Sequence, residues 1–224
     1  MNACLANSMK ITLPVLALGL LGFAAAPALM PQQAKAAAKA KPDAAPPAAA
    51  TSAAGDLKAG SYDIDPLHST VIFRILHMKV SPFYGRFDKV SGNFTIDPAK
   101  PEAATLDVKI QADSLDTNND KRNQDVMGPD LLSVKEFPVM EFKSDKVKKA
   151  GAGYEVTGKF TLHGVTKDLT LQIDQTGASE GKHGTAAGFE TTFTIKRSDF
   201  GMTSMADALG DDIKVMVGIE GHGG

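Results

Sequence analysis

Residues 70–78 read Thr-Val-Ile-Phe-Arg-Ile-Leu-His-Met. Val71, Phe73, Ile75 and His77 fall on one side of an extended chain, with Thr70, Ile72, Arg74, Leu76 and Met78 on the other. Successive side chains of a strand point to opposite faces, so this alternation reads as a half-buried β-strand. The same period returns down the chain. Leu106, Val108 and Ile110 alternate with Thr105, Asp107, Lys109 and Gln111, and Val156, Gly158, Phe160 and Leu162 with Glu155, Thr157, Lys159 and Thr161. Leu169, Leu171 and Ile173 follow, then Phe189, Phe193 and Ile195, and last Ile213, Val215, Val217 and Ile219. With 86–96 and 139–147 added, the pattern predicts eight strands after a short leading one at Tyr62–Ile64.

Turn residues such as Asp97-Pro98 and Gly151-Ala152-Gly153 separate these runs. Only 118–127 and 202–209 have helical character, so the crossover helices that parallel strands need are missing. The sheet is expected to be antiparallel. Several runs reach about ten residues, beyond the usual length of about five or six. Long meandering strands suit closure, so the expected fold is all-β: an antiparallel eight-stranded barrel with one short helical segment. A barrel of about eight strands can be filled by side chains or hold one small ligand.

The flanks place this domain at 59–224. Lys10 is followed by an uncharged run of sixteen residues, Ile11–Ala26, interrupted by Pro14, Gly19 and Gly22. It is short for a membrane span and reads as a secretory signal over 1–36. Cleavage after Ala28 and cleavage after Ala36 both fit, and Met9 offers a tighter alternative start. Residues 37–58 are rich in Ala, Pro and Lys and nearly free of large apolar side chains, the composition of a disordered linker. Cys4, the one cysteine, precedes the apolar run, so the mature chain has no thiol chemistry and no disulfide. Loss of Lys10 and Lys35 with the signal changes 24 basic against 26 acidic residues to 22 against 26, which argues against a nucleic-acid partner.

Motifs for catalysis are absent: the chain contains no GxSxG, Walker loop, GxGxxG or HExxH. Asp116, Asn118 and Asp120 imitate the start of a calcium loop, but Lys121 and Met127 stand where Gly and Glu are needed. Thr117 is instead expected to cap the helix. His68, His77 and His163 have no metal-ligand spacing, and His183 and His222 lie in Gly-rich, exposed stretches. No metal and no catalytic residue is expected.

An ordered set of short segments carries more. Tyr62-Asp-Ile-Asp65, His68-Ser69, Phe73 with His77, and Gly85-Arg-Phe87 with Ser91-Gly92 come first. They are followed by Ser114-Leu-Asp-Thr117, Phe137-Pro138 with Phe142 and Ser144, Leu162-His-Gly-Val-Thr166, and Arg197-Ser-Asp-Phe-Gly201. Covering residues 60–222, the set resembles the YceI-like family. That resemblance implies a lipocalin-like barrel, secreted to the bacterial periplasm, that binds a polyisoprenoid or another long-chain amphiphile such as an isoprenoid quinone, fatty acid or fatty amide, and that is not an enzyme. Arg122-Asn123 and Leu131-Leu132 depart from the family's pattern around the helical segment.

If the barrel is hollow, its ligand-facing wall comprises Phe73, Ile75, His77, Phe87, Val108, Ile110, Phe142, Phe160, Leu162, Phe193, Ile195, Val215 and Val217. Arg197 then points into the mouth and Phe200 borders the entering chain. If it is filled, the same side chains are core and Arg197 pairs with Asp199 at a strand end. The filled alternative is a solid-cored interaction module for an envelope protein partner. A homodimer is also open, and no cofactor is expected beyond a bound isoprenoid or fatty chain.

Overall fold

The computed structural model describes residues 55–181 and 184–223, so the expected signal, most of the linker and His183 lie outside the described residues. The strands are β1 (Gly60–Ile64), β2 (Thr70–His77), β3 (Ser81–Phe87), β4 (Val90–Ile96), β5 (Thr105–Gln111) and β6 (Leu115–Asp116). The single α-helix among the described residues, α1 (Asp120–Met127), precedes β7 (Val139–Ala150), β8 (Gly153–Leu162), β9 (Val165–Gly181), β10 (Gly184–Lys196) and β11 (Leu209–Gly223). All pairings are antiparallel.

These eleven segments make an eight-stranded closed barrel, because several are halves of one broken strand. β1 and β2 lie end to end against β11, through Asp63↔His222 and Thr70↔Gly218, with residues 65–69 breaking the line between them. In the next position β4 pairs with β1 and β3 with β2. The expected strand over 86–96 is therefore two, bent at Asp88-Lys89. Its first half extends back to Ser81 through Pro82, a residue that argues against a strand in sequence. β5 and β6 continue the meander against β4 and β3, and β7 to β11 follow in chain order. Closure comes where β1 meets β11, so the first strand joins the last.

Part of the wall between β9 and β10 is not laddered. β8 and β9 pair from Leu162↔Val165 to Tyr154↔Ile173. β9 and β10 pair from Gly184↔Gly181 only as far as Thr191↔Ile173. Above that point 165–172 and 192–196 run without registered partners across the gap. Thr191 Oγ1 donates to Gln172 O at 2.6 Å at the foot of the slit. At its head His163 Nδ1 lies 3.0 Å from Phe200 O.

α1 and residues 128–138 lie over the end of the barrel where β6 leaves the sheet. Leu131 is buried there, and Leu132, Val134, Val126 and Met127 pack on the core. The N-cap is Asn119, whose Oδ1 accepts from Arg122 N at 2.9 Å, and not Thr117. Thr117 is buried and donates from both its backbone N and Oγ1 to Asn123 Oδ1. The other segment read as helical, 202–209, forms turns leading into β11. Arg197, 4% exposed, decides that outcome: its guanidinium donates to the carbonyls of Met202 (2.5 Å), Ser204 (2.7 Å), Gly210 (3.1 Å) and Leu209 (3.4 Å). Carbonyls held by this fork are turned away from helical partners. Asp199 makes no ion pair with Arg197, which corrects the expected charge pair.

Gly85 shows how the inner face is fitted. A Cβ there would overlap the ring of Phe73 on the neighbouring strand, so the glycine gives Phe73 room to lie across β3. At the β2–β3 hairpin the fit is poorer. Met78 and Lys79 both adopt positive φ, 53° and 57°, at the centre of a turn closed by Val80 N donating to His77 O at 3.0 Å, within a three-residue loop between the paired His77 and Ser81. Such turns favour Asn-Gly, and a left-handed conformation costs an ordinary residue about 1–2 kcal/mol. The double substitution Met78→Asn with Lys79→Gly is expected to raise unfolding stability by about 1 kcal/mol, read from the urea midpoint.

Asp211 supplies a pH-dependent contact in the same region. Its carboxylate accepts from Ser198 N and Ser198 Oγ, both at 2.9 Å, and these bonds hold its pKa below the usual aspartate value of 3.8. A lowered folded-state pKa means that the contribution is full above the unfolded value and is lost as pH falls through the folded one. The Ser198 amide resonance is therefore expected to titrate with a midpoint below 3.8, and the contact to be lost as pH falls through it.

Candidate functional site

The barrel is hollow. A cavity of about 340 Å³, within the range of small-molecule pockets, extends between its two ends. Its wall follows from the alternation of each strand. β2 contributes Val71, Phe73, Ile75 and His77, β5 Val108 and Ile110, and β7 Met140, Phe142 and Val147. β8 adds Tyr154, Val156, Phe160 and Leu162, β9 Leu171 and Ile173, β10 Phe189, Phe193 and Ile195, and β11 Ile213, Val215, Val217 and Ile219. Phe87 from β3 completes that side.

The two halves of the wall differ. Inward residues of β4, β5, β7 and β8, such as Phe94, Val108, Phe142 and Phe160, are buried against one another. Phe73, Phe189, Phe193, Ile213, Val215 and Val217, from β2, β10 and β11, are only half-buried although they too point inward. These side chains keep apolar surface facing the cavity, whereas Val71, Ile75 and Ile195 of β2 and β10 are buried. Phe193 faces Phe160 edge-on at 6.2 Å across the cavity.

Polar groups sit at the two ends. Near α1 the lining includes His77, Thr117, Arg122 and Arg197, and at the other rim Thr95 and Thr105. Arg122 is anchored, donating from Nε to Thr117 Oγ1 (3.0 Å) and from Nη2 to Thr117 O (2.6 Å), with its guanidinium 4.4 Å from the centre of the Phe83 ring. A cation over an aromatic face at a cavity end suits a ligand's polar head. The far end carries an aromatic cluster: Tyr62 stacks on Phe94 at 4.9 Å, and Phe94 meets Phe189 edge-on at 5.3 Å.

Fourteen of the fifteen residues proposed from sequence lie on this wall: Phe73, Ile75, His77, Phe87, Val108, Ile110, Phe142, Phe160, Leu162, Phe193, Ile195, Arg197, Val215 and Val217. Phe200 does not; it is 3% exposed and packs behind Phe160 at 5.6 Å, where its carbonyl meets His163. Arg197 borders the cavity, but its donors are committed to backbone carbonyls. Arg122, Phe83, Leu131 and Leu132 also line the cavity and were not among the proposed residues, since Arg122 comes from α1, Leu131 and Leu132 from the irregular segment after it, and Phe83 from a Pro-bearing strand. His68, His77 and His163 do not converge. His68 Nδ1 is 2.6 Å from Asp65 Oδ2, a contact that lowers the pKa of Asp65 and raises that of His68. His222 is exposed, as expected, but it lies on β11 beside Glu220 and Asp65.

Comparison with known proteins agrees with this architecture. A family model for the YceI-like domain matches residues 62–221. A UPF0312 protein of Yersinia pestis (strain Pestoides F) is 38% identical over 171 residues, covering 75% of this chain and 89% of its own. The crystal structure of the Campylobacter jejuni YceI protein is similar with a TM-score of 0.60 and 32% identity, over 67% of this chain and 90% of that one. A polyisoprenoid binding domain from Saccharophagus degradans shares the fold, with a TM-score of 0.57 and 18% identity over 75% of this chain and all of that one. With the match spanning the closed ring from β1 to β11, this chain belongs to the YceI-like family.

Proposed function

We propose that this protein is a periplasmic binding protein, not an enzyme, that encloses the chain of a polyisoprenoid or another long-chain amphiphile. The observation that carries this reading is the half-buried apolar wall of β2, β10 and β11 facing an apolar cavity. Such a wall offers dispersion and hydrophobic contact without directional demands, which suits a flexible hydrocarbon. Each buried methylene contributes ~0.8 kcal/mol, so ten supply about 8 kcal/mol before the cost of ordering the chain. Nη1 of Arg122 and the imidazole of His77 at the α1 end favour a head group with acceptor oxygens, such as a carboxylate, amide or quinone carbonyl. The fold shared with a polyisoprenoid binding domain supports the ligand class, and the apolar run before the domain supports export.

Native mass spectrometry of the purified protein, followed by lipid extraction, tests the reading directly. The expected result is one co-purified amphiphile per chain, or stoichiometric uptake of an isoprenoid quinone or fatty amide by delipidated protein. Failure to retain or take up any of these overturns it. A second test places charge in the free space: Phe193→Arg is expected to reduce uptake more than tenfold, the equivalent of about 1.4 kcal/mol, while the far-UV spectrum stays that of the parent. Unchanged uptake by the folded variant would move the ligand out of this cavity.

A further inference from the structure

We propose that Asp65, His68, Glu220 and His222 form a site for one divalent transition-metal ion of the zinc type, on the outer surface where the first strand meets the last. The four residues come from the break between β1 and β2 and from the end of β11. One ligand atom from each, an imidazole nitrogen or a carboxylate oxygen, lies within 4.8 Å of all the others. His222 Nε2 is 3.3 Å from Asp65 Oδ2 and 3.0 Å from Glu220 Oε1. Bonds of about 2.0–2.1 Å in a tetrahedron place neighbouring donor atoms roughly 3.4 Å apart, so these separations need little adjustment. His68 Nδ1 and Asp65 Oδ2, 2.6 Å apart, open slightly as an ion enters and the Nδ1 proton leaves.

The donor set selects the ion. Two imidazoles with two carboxylates suit zinc, cobalt or nickel, whereas calcium and magnesium take oxygen ligands. The backbone around the site is already fixed. Leu67 N donates to Asp65 Oδ1 at 2.7 Å, which orients the other carboxylate oxygen toward the histidines. Asp65 N donates to Glu220 O at 2.8 Å, and Glu220 N to Ser69 Oγ at 3.1 Å. Glu220 and His222 are two residues apart on one strand and so share a face. The side chain of Asp65 is 15% exposed while those of His68 and His222 are 63% and 43% exposed, a carboxylate floor under accessible imidazoles.

Position gives the site a role independent of the cavity's ligand. β1 and β11 share only the register pairs Asp63↔His222 and Ile64↔Gly221, a short junction at the point where the ring closes. An ion held by 65, 68, 220 and 222 ties this junction together and links metal supply to barrel stability.

Chelator-stripped protein titrated with zinc chloride by calorimetry, and with cobalt chloride by visible absorption, tests the assignment. The expected results are one equivalent of zinc, a d–d band of bound cobalt, and a zinc-dependent rise in Tm. His68→Ala and His222→Ala should each weaken zinc binding by more than about tenfold, and the double variant should lose the cobalt band. If the alanine variants lose the parent's far-UV spectrum, Glu220→Gln, which keeps size and shape, carries the same comparison. Equal zinc uptake by parent and folded variants, or no zinc heat and no cobalt band in the parent, would overturn the proposal and leave a hydrogen-bonded cluster only.

Discussion

The structure depends on the ring closing through β11. This strand pairs on one side with β10 along almost its whole length and on the other with β2 and then β1. A sheet of this length left open would present two edges, each a row of unpaired backbone groups and a template for association. Closure satisfies those groups and turns the inward faces of all strands toward one interior. The contacts that achieve it join residues from opposite ends of the domain, so they are costly in chain entropy and form against a large loop.

Closure fixes the ring, but the inward side chains fix how much of it is filled. On the β4, β5, β7 and β8 side large residues meet large residues and the interior is packed. Toward β2, β10 and β11 the same inward geometry leaves Phe73, Phe193, Val215 and Val217 facing free space. The helix and residues 128–138 then place Arg122 and Leu131 at one end, making that end both apolar and hydrogen-bonding.

This division explains what could be read in the sequence. Strand faces were legible because burial on one side imposes a period of two, and Val71, Phe73 and Ile75 declare it. The hidden pieces lacked that signature. β3 carries Pro82, and the tail of β9 runs through Gly177, Ala178 and Ser179, which are strand because β10 pairs with them and not because of their own side chains. Arg197 was visible as a charge near a strand end, but four carbonyls in a turn have no sequence pattern, and its burial followed from them. Arg122 reaches the cavity from the helix and Leu131 from the irregular chain after it, neither of which carries a strand's alternation. His68 and His222 meet only because the first strand and the last are neighbours, a fact of topology that no local spacing records.

The incomplete ladder between β9 and β10 gives the barrel an anisotropic compliance. Most of the wall is stitched by backbone hydrogen bonds and resists dilation. Along the slit between the Thr191–Gln172 bond and the His163–Phe200 contact, widening disturbs ring contacts such as Phe160 against Phe193 instead of a ladder. Aromatic contacts of this kind are worth about 1 kcal/mol each and re-form in many geometries. At this seam the calibre of the interior is held by side chains and not by a backbone ladder, and closure of the ring through β11 does not depend on it.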